Sequence, residues 1–186
     1  MKRVAVLDHG MGNLRSVAKA LEAAGASVTV TAAAAEIRKT DALCVPGQGI
    51  FGRCVENLDA SGNGDLIASW IAAERPYLGI CMGMQILFDR SDENDAKGLA
   101  ILPGEVRRLP PILTVPHIGW NEVGDTHYYF DHSYGVHPAN DSIVAGWCKH
   151  GDRFAAVVRT RSVFAVQFHP EKSGAAGIDL LKGWIR

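Results

Sequence analysis

The chain alternates short apolar runs with amphipathic stretches, the pattern of strands joined by helices. Residues 4–7 form a continuous apolar run that predicts a buried first strand. Residues 13–24 place apolar side chains at Leu14, Val17, Ala18 and Leu21, a helical stripe that Gly25 closes. Residues 27–31 alternate as a second strand, and 42–45 are a third, ended by Pro46-Gly47-Gln48-Gly49. Residues 66–73 predict a helix leading back to the apolar run at 76–80, which passes at Cys81 into helical spacing as far as Phe88. A last buried strand is expected at 163–168 and a closing helix at 177–184. The segment 98–160 is rich in β-formers and broken by prolines, so it predicts mixed or antiparallel strands added to the sheet. The expected fold class is α/β: residues 1–186 as one domain, with a mostly parallel, doubly wound sheet flanked by helices. Ligands of such a sheet sit beyond the carboxyl ends of its strands.

Composition narrows the function classes. At 186 residues, 47% hydrophobic and 21% charged, the chain suits a soluble globular domain. A formal net charge of -1 gives no reason to expect nucleic acid or an anionic membrane as partner. The apolar run before Asp8 is too short for a signal peptide and no later run spans a bilayer, so a cytoplasmic location is expected. Cys44, Cys54, Cys81 and Cys148 form no Cys-x-x-Cys pair, which indicates neither a disulfide framework nor a zinc knuckle. Gly10-Met11-Gly12 follows the first strand, but Arg15 stands where a dinucleotide-binding loop needs its third glycine.

Candidate chemistry gathers at three strand ends. Cys81 lies at a strand-to-helix joint between Gly79 and Gly83, the Gly-x-nucleophile-x-Gly arrangement that leaves room for a sharp turn. The helix N-terminus favours thiolate over thiol there, which makes Cys81 the candidate nucleophile. His169-Pro170-Glu171 ends the last strand. Residues two apart on extended backbone share a side, so the carboxylate is expected to fix the imidazole, and the imidazole to exchange protons with sulfur. The glycines of Pro46-Gly47-Gln48-Gly49, with the amide of Met82, are expected to form an oxyanion hole.

Gly79-Ile80-Cys81-Met82-Gly83-Met84-Gln85 together with His169-Pro170-Glu171-Lys172-Ser173-Gly174 resembles the triad pattern of class I glutamine amidotransferases. Residues 8–17, 46–49, 116–121 and 130–134 sharpen the resemblance to the glutaminase subunits of imidazole glycerol phosphate synthase. The resemblance implies Cys81 as nucleophile, His169 as general acid and base, and Glu171 as orienter. It implies an oxyanion environment from Gly47, Gln48, Gly49 and Met82, and contacts to the ends of glutamine from Gln85, Ser133 and Tyr134. It further implies a (β/α)₈-barrel cyclase as heterodimer partner, faced by Asn13, Trp120, Asn121 and Lys172, and neither metal nor cofactor. The family often has tyrosine where His9 stands and a hydrophobic residue where Asp131 stands, and the segment between Val123 and Tyr128 is short by about ten residues. A cysteine peptidase on a related fold and a non-enzymatic scaffold are the alternatives. Gln85, Ser133 and Tyr134 suit an amino-acid substrate and argue against the first, and the complete set of triad residues argues against the second.

Overall fold

A computed structural model describes residues 1–186. In chain order the elements are β1 (Arg3–Leu7), α1 (Leu14–Ala23), β2 (Ser27–Thr31), α2 (Ala34–Ile37), β3 (Ala42–Gly47), α3 (Phe51–Ser61), α4 (Asn63–Ala72), β4 (Tyr77–Cys81) and α5 (Met82–Gln85). There follow β5 (Arg90–Ser91), β6 (Ala96–Lys97), β7 (Gly104–Arg108), β8 (His117–Val123), β9 (Thr126–His132), β10 (Tyr134–Pro138), β11 (Val144–His150), β12 (Asp152–Arg159), β13 (Val163–Val166) and α6 (Gly174–Ile185). Eleven strands make one sheet in the order β2-β1-β3-β4-β13-β12-β10-β7-β5-β6, with β11 alongside β12. The run β2-β1-β3-β4-β13 is parallel throughout, so the ends of β1, β3, β4 and β13 open on one edge. From β13 onward the pairing through β12, β10 and β7 is antiparallel, as expected for the added strands.

Side chains alternate between two buried faces, which is why these strands read as continuous apolar runs. Ala5, Leu7, Leu43, Val45 and Tyr77 pack under α2, α3 and α4 against Ile37, Phe51, Leu58 and Trp70. Val4, Val6, Cys44, Leu78 and Ile80 pack on the other side against Val17 and Leu21 of α1 and Leu181 of α6. Asn13 caps α1 by accepting from the Ser16 amide at 3.3 Å, and Gly25 follows the helix at φ +103°.

Four expected elements are corrected in extent. The helix after Cys81 is one turn, Met82–Gln85, and continues to Phe88 only as irregular turns. α4 starts at Asn63, immediately after the Gly62 cap of α3. β13 stops at Val166, and α6 begins three residues early, at Gly174. α2 and α3 were not among the predicted elements, although Phe51, Cys54 and Leu58 carry helical spacing.

The hairpin β8–β9 forms a separate two-stranded sheet, closed by a two-residue turn at Gly124 and Asp125 where the sequence is short. It is fastened by buried histidines. His132 Nδ1–H donates to the Tyr134 carbonyl at 2.8 Å, which leaves Nε2 to accept from His117 Nδ1–H at 3.0 Å. His117 in turn stacks between Phe130 and His150. Burial pushes His132 down to about 3 and His117 down to about 4, so both rings are neutral in the fold. The unfolded chain therefore binds more protons between pH 6.5 and these values, and the stabilisation held above pH 6.5 is lost as pH falls through them. Urea unfolding is expected to lose up to about 1.4 kcal/mol per pH unit for each histidine below pH 6.5. His132→Phe flattens that slope, and an unchanged slope would rule this origin out.

Candidate active site

Cys81 ends β4 with φ 54° and ψ -106°, a backbone conformation that an L-residue adopts only under constraint. The constraint comes from its glycine neighbours. A Cβ on Gly83 would lie 1.7 Å from the Val45 carbonyl oxygen, and one on Gly79 would lie 2.5 Å from the Gly83 oxygen. Only glycine lets the turn press against β3, and the buried Tyr77 hydroxyl locks it by donating to the Gly83 carbonyl at 2.7 Å. The Cys81 side chain is thus presented at the sheet edge while staying 95% shielded from bulk water, since its exposure is 5%.

His169 and Glu171 arrive from β13. His169 keeps extended backbone (φ -104°, ψ 97°), but Pro170–Lys172 is a 3-10 turn rather than the expected strand continuation. Proline suits the first position of that turn, and the Lys172 amide donates back to the His169 carbonyl at 3.0 Å. α6 abuts the turn so closely that a Cβ on Gly177 would lie 1.9 Å from the Pro170 oxygen. The turn brings the Glu171 carboxylate around to the ring: Nδ1–H donates to Oε1 at 2.8 Å, with both side chains almost fully buried. That bond fixes the tautomer and leaves Nε2, which is buried without a hydrogen-bond partner, as the nitrogen for proton transfer. Burial opposes charge on the ring, but the adjacent Cys81 sulfur and Glu171 outweigh it and lift His169 to about 10.

In front of the sulfur is a cleft of about 210 Å³ lined by Gln48, Gly49, Cys81, Met82 and Gln85 on one side and Asp131, His132, Ser133 and Tyr134 on the other. Gly47 does not line it. It pairs with Cys81 across β3–β4, and a Cβ there would strike Met82 at 2.7 Å, while Gln48, Gly49 and Met82 do line the cleft. His9 braces this loop by donating from Nε2 to the Pro46 carbonyl at 2.6 Å.

A family model described as Glutamine amidotransferase class-I matches residues 5–183 of this chain. The chain is a class I glutamine amidotransferase. Among its relatives is the protein named imidazole glycerol phosphate synthase subunit HisH of Nitrosospira multiformis, 43% identical over 210 residues, with 100% of this chain and 98% of the relative covered. The HisH subunit of Corynebacterium diphtheriae is 42% identical over 208 residues, with coverage of 100% and 99%. A crystal structure of a glutamine amidotransferase superposes with a TM-score of 0.78 at 20% identity, covering 98% of each chain. PurLQS from Thermotoga maritima superposes with a TM-score of 0.76 at 18% identity, covering 100% of this chain and 98% of the other. These two likenesses concern the fold.

The other residues singled out in this amidotransferase occupy distinct settings. Ser133 and Tyr134 line the cleft with Gln85. Gln85 spends its amide hydrogens internally, on the Tyr134 carbonyl at 2.9 Å and Gln167 Oε1 at 3.0 Å, so only its oxygen is left for a ligand. Trp120 is 57% exposed on β8 and meets Tyr129 edge-on. Asn13 is exposed at its helix cap. Asn121 and Lys172 are engaged within the chain, Asn121 with His117 Nε2 at 3.1 Å and Lys172 with Asp131 at 3.2 Å. Asp131 also accepts from the Gln48 side chain at 3.4 Å, which ties the loop after β3 to Lys172. Two residues were missed, one lining the cleft and one buried behind the sulfur. Glu93 lines the cleft and caps α3 by accepting from the Phe51 amide at 2.7 Å; the polar run at 91–97 directly after the nucleophile turn was its signal. Gln167 donates to the Cys81 sulfur at 3.4 Å, and its signal was a lone amide inside the apolar run 163–168.

Proposed function

We propose that the chain is the glutaminase subunit of an imidazole glycerol phosphate synthase, acting through Cys81, His169 and Glu171. The observation that carries this reading is a buried imidazole, oriented by a 2.8 Å hydrogen bond to Glu171, beside a cysteine sulfur at a strained strand end. Sulfur attacks the side-chain amide carbon of glutamine, and the developing oxyanion is met by the amides of Gln48, Gly49 and Met82. His169 Nε2–H protonates the amide nitrogen, the C–N bond breaks, and ammonia leaves a glutamyl thioester. Nε2 then takes a proton from water, the hydroxide displaces sulfur, and glutamate departs as the imidazolium is restored. Of the two carboxylates lining the cleft, Asp131 is paired with Lys172, so Glu93 is the one left to face the α-ammonium of glutamine. Ser133 and Tyr134 supply polar contacts for the other end.

Ammonia is useful as a nucleophile only while unprotonated, which requires a docked synthase. The partner in this reading is a (β/α)₈-barrel cyclase that makes imidazole glycerol phosphate and aminoimidazole carboxamide ribotide in histidine biosynthesis. The exposed Trp120 marks the docking side, because an exposed indole beside a polar rim suits an interface anchor. Mixing the chain with such a cyclase is expected to give co-purification and a rise in ammonia release from glutamine. The absence of both binding and stimulation would remove the cyclase from this reading.

A further inference from the structure

The structure places one fixed donor on the nucleophile, and the sequence pattern gave it no role. We infer that Gln167 is a further catalytic residue, a neutral amide that aims the Cys81 sulfur and stabilises its negative charge, held in place by a buried series of hydrogen bonds reaching Asn121. The inference rests on the glutaminase reading of the same site.

Each link leaves no choice of orientation. Asn121 Nδ2 donates to the Lys149 carbonyl at 3.1 Å and to His117 Nε2 at 3.1 Å, so His117 carries its proton on Nδ1. That proton goes to His132 Nε2 at 3.0 Å, and His132 Nδ1–H goes to the Tyr134 carbonyl at 2.8 Å. The same carbonyl accepts from Gln85, whose second hydrogen goes to Gln167 Oε1. With its oxygen spent there, Gln167 can present only N–H to sulfur, at 3.4 Å. Gln85, Gln167, His117 and His132 are all buried, at exposures of 3%, 0%, 4% and 7%, so water does not offer replacement partners. A flipped Gln167 would set its oxygen against sulfur and its nitrogen against the Gln85 donor. The series therefore runs from the exposed hairpin β8–β9 to the reacting atom without a charged member.

The effect expected of an N–H on a sulfur anion is that of a hydrogen bond to a charged group. The test is the pH profile of Cys81 alkylation by iodoacetamide, read on the Cys81 peptide, beside ammonia release by the chain with its cyclase. Gln167→Met is expected to raise the alkylation midpoint by about one pH unit and lower kcat about ten- to a hundredfold, with KM within about threefold. Gln167→Glu still accepts from Gln85 but sets an anion on the sulfur, and is expected to shift the midpoint further; it carries the test if the methionine variant fails to fold. Asn121→Asp cannot donate to His117 as a carboxylate and is expected to shift the midpoint in the same direction by less. Unchanged midpoints in the Gln167 variants would overturn the inference, and an unchanged midpoint in Asn121→Asp would overturn the series behind it. Failure of the parent to release ammonia would instead count against the glutaminase reading, because alkylation reports on the sulfur without glutamine.

Discussion

Cys81→Ser is expected to lower glutamine-dependent turnover by about 10⁴-fold or more, while turnover of the cyclase complex on added ammonia is unchanged. The size follows from the role of sulfur: without it no thioester forms, and the remaining oxyanion donors and binding contacts act on a reaction that has lost its nucleophile. The backbone adds a companion outcome. Cys81 is held at φ 54°, and strain of that kind costs of order 1 to 3 kcal/mol. Cys81→Gly is thus expected to be as inactive as the serine variant yet to unfold at no lower urea concentration. Loss of the ammonia-driven reaction in parallel would contradict the division of labour between the two subunits.

Gly83→Ala is expected to have the largest effect on the fold. The new Cβ would overlap the Val45 carbonyl oxygen at 1.7 Å, and that carbonyl belongs to the strand that pairs with β4 through Val45 and Gly79. Neither backbone can retreat without opening β3–β4, so the overpacking cost lies at or above the usual upper range, at least about 3 kcal/mol. For a chain of this length that is a fall in Tm of roughly 6 to 12 °C. Gly183→Ala in α6 is the control: nothing lies within 4 Å of its Cβ, and alanine favours helix, so stability is unchanged or rises by up to about 1 kcal/mol. Equal Tm values for the Gly83 and Gly183 variants would contradict the packing assigned to the nucleophile turn.

The parallel half of the sheet was legible because both its faces are buried. Runs such as residues 4–7 and 42–45 then need no alternation, and glycine and proline mark where they stop. The meeting of Cys81, His169 and Glu171 was legible because they stand at the ends of such runs, where backbone geometry brings them to one edge. The 3-10 turn at Pro170 was read as strand because proline suits both settings, and the deciding contact, α6 on the Pro170 carbonyl, comes from elsewhere in the chain. The pairing of His117 with His132 depends on the register of the β8–β9 hairpin, and the engagement of Lys172 by Asp131 and the aim of Gln167 depend on segments far apart in sequence meeting. No local pattern encodes that register. Gly47 illustrates the same limit: its place in the loop was legible, but not that Met82 lies against it.

The central claim is that the Cys81 sulfur, with the His169–Glu171 pair beside it, takes up the glutamyl group. The direct measurement is peptide mass after the protein, in complex with its cyclase, is mixed with glutamine and quenched in acid. A glutamyl adduct on the Cys81 peptide is the expected result, accumulating in proportion to ammonia released in the first turnover and absent from Cys81→Ser. Ammonia release without any adduct on that peptide, or an adduct on Cys54 or Cys148 in its place, would contradict the account.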